Sequence, residues 1–218
     1  MLPTIATGNV GSALAGEYEV ANSLRFNSGS SDYLTSSFTT PTNNKIWTLS
    51  FWIKRSEDAD QYTFSCDDPV TTARSHVSLN SGQLRYQEAE IGVGTPMNLR
   101  TDALLRDFSA WYHIVIAVDT TQSTANNRAK IYINGEQVTS FSTENYMSQN
   151  TNTFTNTSGF DVTIGRNEYT DSTYLGSYLS EYCFIDGQQL DPTSFGEFDE
   201  DSGIWKPKDV SGLTFGTN

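Results

Sequence analysis

Two segments decide the fold, Trp111-Tyr-His-Ile-Val-Ile-Ala-Val-Asp119 and Ala129-Lys-Ile-Tyr-Ile-Asn-Gly-Glu-Gln-Val138. In the first, Tyr112, Ile114, Ile116 and Val118 alternate with Trp111, His113, Val115 and Ala117. A period of two with apolar side chains on both faces is typical of a strand buried on both sides. In the second, Asn134-Gly135 tolerates the positive φ of a two-residue hairpin turn. These segments predict neighbouring antiparallel strands followed by a tight hairpin.

Short strands separated by glycine and asparagine turns continue along most of the chain. Trp47–Lys54 is the clearest, with Trp47, Leu49, Phe51 and Ile53 on one face and Trp52 on the other. Further strands are predicted at 23–26, 33–34, 62–65, 76–79, 83–86, 161–165 and 177–185. Helical periodicity is nearly absent, so an all-β antiparallel sandwich or jelly roll is predicted.

Three regions differ in pattern. Residues 1–21 are weakly patterned and predict an N-terminal arm or linker, and residues 22–190 hold the strands of the sandwich. Within them, residues 142–160 form a long polar loop with room for a short edge strand. Residues 191–218 form a C-terminal extension that could pack across the sandwich, and Asp191-Pro192 could cap one short helix there.

The charge balance excludes some partners. The net charge is −13, with 26 acidic and 13 basic residues in 218, so neither nucleic acid nor an anionic membrane is an expected partner. The acidity serves solubility or, alternatively, cation binding through a few carboxylates. No segment has the pattern of a signal peptide or the length of a membrane span. Cys66 and Cys183 are expected to be free thiols.

Several segments, in order, resemble the strand motifs of laminin-G-like domains. They are Leu24-Arg-Phe-Asn with Asp32-Tyr33, Trp47–Lys54, Trp111-Tyr-His-Ile, Ile131-Tyr-Ile-Asn-Gly-Glu, Ile164-Gly-Arg166 and Leu175–Phe184. Their order and spacing resemble those of the concanavalin A-like lectin/glucanase superfamily. This resemblance implies a concanavalin A-like antiparallel β-sandwich.

The segment Ile185–Pro207 and the start Met1-Leu-Pro-Thr-Ile are similar to laminin-G-like proteins encoded by tailed phages, notably marine ones. That resemblance implies a virion component, such as a tail fibre or adhesin, made in the host cytoplasm. Residues 1–21 would then dock on other virion proteins. No heptad or collagen-like repeat specifies an oligomer, so a homo-oligomer stays an open possibility.

Catalysis is not expected. Glucanases of this superfamily carry paired carboxylates on a strand, and retaining hydrolysis needs them about 5 Å apart. The nearest match, Glu197-Phe-Asp199-Glu200-Asp201, lacks the final glutamate and follows a proline-initiated turn instead of occupying a strand. His113 lacks a visible partner that would orient it as a base, and a buried, hydrogen-bonded histidine is expected instead. His76 has no ligand spacing around it.

Calcium is the one cofactor that the resemblance implies. Family members often hold a cation with an acidic residue of the final strand, and Glu181 occupies that place, although Ser180 replaces the acid expected before it. Asp32 of the opening strand pair is a second candidate. Ca²⁺ needs about six to eight oxygen ligands, so the alternative is that both are ordinary surface carboxylates.

Glycan binding needs aromatic faces and side chains that bond hydroxyl groups. The loop Arg166–Tyr174 has this composition: Arg166, Asn167 and Asp171 are polar, and Tyr169 and Tyr174 supply rings. Tyr146 in the long polar loop is a further candidate. Trp47, Trp52 and Trp111 are expected in the core.

The leading hypothesis is a phage virion structural protein whose lectin-like module binds host surface glycans. The alternative is a purely structural decoration or assembly subunit without sugar binding. A glycan hydrolase or lyase is the third hypothesis.

Overall fold

The computed structural model describes residues 18–68, 70–92 and 94–218. The predicted N-terminal arm therefore lies mostly outside the described residues. The described parts fold into β-strands and three short 3-10 turns, with no α-helix and hence no helix able to span a bilayer. The prediction of an all-β protein is confirmed.

The strands, in chain order, are β1 Leu24–Arg25, β2 Leu34–Ser37, β3 Ile46–Arg55, β4 Gln61–Asp67, β5 Arg74–Asn80, β6 Gln83–Glu90, β7 Gly94–Leu104, β8 Tyr112–Asp119, β9 Ala129–Ile133, β10 Glu136–Gln137, β11 Phe141–Asn145, β12 Asp161–Ile164, β13 Ser177–Asp186, β14 Gly196–Phe198 and β15 Trp205–Pro207. Six form one sheet in the order β1-β13-β3-β8-β9-β10. Seven form the other, in the order β11-β7-β6-β5-β4-β12-β2, and β14 pairs with β15. All strand pairs are antiparallel.

The hydrophobic core lies between the two large sheets. From β3 it takes the predicted alternate residues Trp47, Leu49, Phe51 and Ile53, all almost fully buried. The seven-stranded sheet contributes the inward residues of its central strands, Phe64, Cys66, Val77, Leu79, Leu84, Tyr86, Met97 and Leu99. Alternate residues of these strands consequently lie on the outer face of their sheet.

Strand β8 is buried on both sides, as its sequence predicts. Ile114, Ile116 and Val118 belong to the core between the sheets, whereas Val115 and Ala117 belong to a second cluster on the outer face. The turn at Asn134 and Gly135 has positive φ at both residues and joins β9 to β10. The hairpin prediction is also confirmed.

The C-terminal extension covers part of the outer face of the six-stranded sheet. Phe195 is buried against Val115 and Ala117, with Leu190, Val210 and Leu213 packed around them. A 3-10 turn, Pro192–Ser194, begins this segment, and the carboxylate of Asp191 accepts the backbone N–H of Thr193 at 2.9 Å. The short helix start expected at Asp191-Pro192 is therefore a single 3-10 turn.

Some local predictions need correction. Glu197 lies in strand β14, so the acidic segment does not sit wholly in a turn as expected. Trp111 precedes β8 and is only partly buried, because it lines an open groove and is not enclosed in the core. Strand β7, which the sequence analysis did not predict, is the longest in the molecule among the described residues. The thiols of Cys66 and Cys183 are both buried and unpaired, as expected.

Candidate functional site

The predicted loop Arg166–Tyr174 follows β12 at one edge of the seven-stranded sheet. A backbone bridge pairs Asn167 with Ser172 and closes the loop on itself. Tyr169 is 39% exposed and Tyr174 is partly buried beside Tyr33, with 6.3 Å between their ring centroids. The structure thus brings five of the predicted binding residues into one loop.

The charge of Arg166 is paired with carboxylates inside this loop. Its guanidinium pairs with Glu168 at 2.6 Å and with Asp171, and it lies over the ring of Tyr33, 3.9 Å from the ring centroid. The hydroxyl of Tyr174 lies 3.5 Å from the carboxylate of Asp171. These contacts hold the loop in shape and leave Arg166 with no unbalanced charge for a ligand.

Tyr146 does not join this loop. It follows β11, which forms the opposite edge of the seven-stranded sheet from β2 and β12. Its hydroxyl donates to Glu144 at 3.0 Å, and burial together with this bond raises the pKa of Tyr146 above its usual value. Any role of Tyr146 in binding would therefore belong to a separate site.

The two carboxylates predicted for calcium lie in different local structures. Asp32 accepts the backbone N–H of Asn27 at 3.0 Å inside the turn before β2. Glu181 occupies the irregular register of β13 with φ 47°, and its carboxylate accepts the hydroxyl of Tyr18 at 2.6 Å. Within the described ranges, no three acidic, histidine or cysteine side chains come together as metal ligands. Calcium binding stays a prediction.

The outer face of the seven-stranded sheet carries a row of arginines. Strand alternation places Arg74 of β5, Arg85 of β6 and Arg100 of β7 on this face, because the core residues of these strands occupy the alternate positions. Arg85 and Arg100 are directly opposite each other in the β6–β7 register. We call this surface the arginine face and define it by Tyr62, Arg74, His76, Arg85, Asn98 and Arg100.

Among the described residues, the guanidinium groups of the arginine face have no close ion-pair partner, although Asp67 of β4 is opposite Arg74 in the register of β4 and β5. In the described part of the chain, none of its three arginines forms an ion pair within 4 Å. Arg85 donates to the amide oxygen of Asn98 at 2.9 Å, and Arg100 makes only a long contact of 3.4 Å to the carbonyl of Asn80. Burial lowers the pKa of Arg85, and neighbouring Arg100 lowers it further.

Aromatic and unsatisfied polar groups accompany these arginines. The rings of Tyr62 and His76 lie 5.0 Å apart. His76 is 5% exposed, and its Nε2 has no hydrogen-bond partner among the described residues. Burial, followed by the charges of Arg85 and Arg74, lowers the pKa of His76 to about 3, so its ring is neutral at physiological pH.

The predicted loop meets the arginine face at Tyr169. The guanidinium of Arg74 lies 4.3 Å from the centroid of the Tyr169 ring. The backbone N–H of Glu168 donates to Ser65 of β4 at 3.1 Å and ties the loop to the sheet. The combined surface offers exposed aromatic rings beside unpaired guanidinium groups, which is a suitable surface for a sugar that carries negative charge.

Glu197, Asp199 and His113, which were not expected to be catalytic, have structural partners. Lys206 lies 3.8 Å from the carboxylate of Glu197 and 3.1 Å from that of Asp199. His113 is 1% exposed and bonded to Ser50 and Trp205, as the buried-histidine alternative predicts.

Sequence reasoning missed Tyr62, Arg74, Arg85 and Arg100. These arginines are far apart in the chain, and only the registers of β5, β6 and β7 bring them to one face. Alternation within β5 and β6 was visible, but β7 was not predicted, so the facing position of Arg100 could not be inferred.

A laminin-G family model, described as the concanavalin A-like lectin/glucanases superfamily, matches residues 28–187. This match covers more than half of the chain, so the protein belongs to that family. The resemblance inferred from the strand motifs is confirmed. No curated protein sequence is significantly similar to the chain.

Solved structures share the fold at low identity. Domains LG4-5 of the mouse laminin alpha1 chain are 17% identical, with 80% of this chain and 44% of that chain covered and a TM-score of 0.56. The native heptameric SAP-like pentraxin from Limulus polyphemus is 18% identical, with 72% and 70% covered and a TM-score of 0.50. The CBM40 of the Ruminococcus gnavus IT-sialidase is 13% identical, with 75% and 95% covered and a TM-score of 0.50.

The chain spans less than half of the laminin structure it matches. At these identities the likeness shows the fold alone, which this chain shares with laminin LG domains and with a CBM40.

Proposed function

We propose that this protein is a glycan-binding structural component of a phage virion, and that the arginine face binds an acidic sugar. One observation carries the ligand class: Arg85 and Arg100 stand opposite each other without a carboxylate partner, in a chain of net charge −13. Like charges directly opposite on adjacent strands are destabilising. A carboxylate or sulfate on a ligand would relieve this repulsion and accept charge-assisted hydrogen bonds.

The surroundings of the pair favour a saccharide over a bare anion. Tyr62 and Tyr169 supply rings for the apolar face of a sugar, and Asn98 supplies an amide for hydroxyl groups. The acidic remainder of the surface repels polyanions in general, so binding depends on the local geometry of the arginines. The match to a lectin-type family supports this assignment at the level of fold.

The virion role rests on the resemblance of Ile185–Pro207 and of the first five residues to phage laminin-G-like proteins. Under this proposal the chain is made in the host cytoplasm and docks on other virion proteins through residues 1–21. A chain lacking residues 1–21 should fail to enter particles while keeping its affinity for glycan. Presence of the unaltered chain in cell lysate but never in purified particles would contradict the virion role.

Binding to dextran sulfate and to unmodified dextran tests the ligand class, because the two polymers share a backbone and differ in charge. We expect the protein to bind only the sulfated polymer in calorimetry or surface plasmon resonance. Arg85→Gln and Arg100→Gln should each weaken that binding by about tenfold or more, since a hydrogen bond to a charged group contributes about 1.5–3 kcal/mol.

Arg25→Gln is the matched control, because it makes the same change of charge at an exposed position of β1 in the other sheet. Equal losses in Arg25→Gln and Arg85→Gln would show that net charge, and not the arginine face, governs binding. Absence of binding to any acidic polysaccharide, combined with presence in particles, would favour the purely structural subunit.

A further inference from the structure

A groove lined by three tryptophans lies on the outer face of the six-stranded sheet, on the other side of the molecule from the arginine face. Its walls include Trp52, Trp111 and Trp205, together with Ser23, Ser180 and Pro207, and its volume is about 350 Å³. We call it the tryptophan groove. Residues 20–23 and 205–207, which line it, lie outside the segment matched by the family model.

The groove has a firm base. The ring of Trp52 stacks on His113 with centroids 4.9 Å apart, and His113 stacks on Trp205 with centroids 5.9 Å apart. The indole N–H of Trp205 donates to His113 at 3.0 Å. These contacts hold two of the three indoles in place before any ligand arrives, so little conformational freedom is lost on binding.

One hydrogen-bond donor at the groove is unsatisfied. Trp52 is 8% exposed, and its Nε1 has no partner among the described residues. A buried donor without an acceptor costs free energy, because it has lost its hydrogen bond to water. Because this nitrogen is shielded from solvent, a ligand hydroxyl group would accept its N–H after a small shift of the Trp52 ring towards the groove.

The charge of the lining favours a neutral ligand. Lys206 supplies a cation to the groove wall, and it is already paired with Asp199 at 3.1 Å and with Glu197 at 3.8 Å. The remaining lining consists of indole rings, small apolar groups, and the polar side chains of Asn22, Ser23 and Ser180.

We propose that the tryptophan groove binds a neutral pyranose sugar. A pyranose has an apolar face of C–H groups that packs on indole rings, and hydroxyl groups around its edge that bond to donors and acceptors. The volume lies near the lower end of the range of small-molecule sites, about 300–1,000 Å³. This site is independent of the arginine face, since it lies on the other sheet and selects an uncharged sugar.

Indole N–H resonances in ¹H–¹⁵N NMR spectra give a direct test, because the chain contains four tryptophans. The probes are the methyl glycosides of glucose, galactose, mannose and N-acetylglucosamine, added to the full chain. We expect at least one of them to shift the resonances of Trp52, Trp111 and Trp205 in a saturable manner. Trp47 is the internal control, since its indole donates to Thr153 at 3.1 Å in the core.

Two variants sharpen the test. Trp111→Ala should weaken the affinity by about tenfold or more, as truncation of a central interface aromatic does, and it leaves strand β8 intact. Trp52→Phe keeps a ring against His113 but removes the unsatisfied donor, and should also weaken binding. Arg85→Gln should leave this binding unchanged.

Two outcomes would overturn the proposal. One is the absence of a saturable shift with all four glycosides. The other is wild-type affinity in Trp111→Ala. If the full chain does not respond but deletion of residues 1–17 shifts the Trp52 and Trp111 resonances, those residues occupy the groove and the sugar assignment is wrong. None of these outcomes bears on binding of sulfated polymer by the arginine face.

Discussion

His113 forms hydrogen bonds to both the sandwich and its C-terminal extension, and these bonds define the protonation state of its ring. The indole N–H of Trp205 can only donate, so the Nδ1 that it meets must be an unprotonated acceptor. The proton of the neutral ring therefore lies on Nε2, which donates to Ser50 Oγ at 2.9 Å. Burial lowers the pKa of His113 to about 4 and maintains this neutral form at physiological pH.

We predict that His113 is a neutral Nε2–H tautomer from pH 7 down to about pH 5. Long-range ¹H–¹⁵N NMR spectra should show an Nδ1 of the unprotonated type, and titration should begin only near pH 4. Trp205→Phe removes the donor and should remove the preference for this tautomer. Titration of His113 near its usual pKa, about 6.5, would contradict the burial argument.

The strands differ in how far their sequences predicted them. The alternation in β3 and β8 was unambiguous, because almost every inward position is a large apolar residue. Strand β7 was missed because Pro96 disfavours a strand and only two core residues, Met97 and Leu99, mark its inner face. The arginine face depends on this strand, so the fold was predictable while its arginine site was not.

The β9–β10 hairpin also makes a tertiary contact that the sequence could not reveal. A Cβ atom on Gly135 would lie 2.5 Å from the ring of Trp205, which crosses the turn from 70 residues later in the chain. The sequence explains Gly135 by its turn, whereas the structure adds close packing against the extension. Glycine is required here both for its φ of 84° and for the space.

Gly135→Ala should therefore destabilise the protein more than a glycine substitution at a turn without neighbours. Gly159→Ala is the matched control, because Gly159 has nearly the same φ, 82°, and nothing within 4 Å of the added Cβ. Each variant should lose about 1–2 kcal/mol from left-handed strain. Gly135→Ala should lose more in urea unfolding and should change the near-ultraviolet circular dichroism of Trp205. Equal losses would show that the hairpin does not constrain Trp205.

At the scale of the molecule, residues within the family-matched segment depend on the C-terminal extension. Asp186 at the end of β13 accepts bonds from the backbone of Thr42 at 2.6 Å, from Asn156 at 2.6 Å and from Thr217 near the C-terminus. Burial raises the pKa of Asp186, but these hydrogen bonds outweigh it and lower the pKa to about 2. Such a junction of distant residues is invisible in the sequence, because no local pattern links Thr42 to Thr217.

Buried ionisable groups make opposing contributions to the pH dependence of folding. Burial raises the pKa of Glu88 and of Asp67 to about 7, so the folded state holds protons there that the unfolded state releases. Their contribution to the stability of the folded state is fully present below their usual pKa of about 4 and is lost as pH rises towards 7. Burial lowers the pKa of His76 to about 3 and of His113 to about 4, so their contribution is lost as pH falls below about 6.5.

Between about pH 4.5 and pH 6.5, the carboxyl pair and the histidine pair make nearly equal and opposite contributions to the pH dependence of the free energy of unfolding. Glu88→Gln should remove one of the two carboxyl contributions. Glu88 accepts the backbone N–H of Phe154 at 2.8 Å and the hydroxyl of Tyr86 at 2.7 Å. A glutamine keeps an acceptor for Phe154, and its amide can donate to Tyr86 if that hydroxyl turns to accept. Without the proton that Glu88 takes up on folding, the two histidines determine the sign of the pH dependence of the free energy of unfolding. The free energy of unfolding should then fall on acidification by about 1.4 kcal/mol per pH unit more than in the unaltered protein.

Urea unfolding at intervals of half a pH unit measures this difference between Glu88→Gln and the unaltered protein. Glu136→Gln, at an exposed position of β10, is the matched control and should follow the unaltered protein at every pH. Parallel curves for Glu88→Gln and the unaltered protein would mean that Glu88 is ionised in the fold. Its three hydrogen-bond donors, Phe154, Thr155 and Tyr86, would then outweigh the cost of burying its charge.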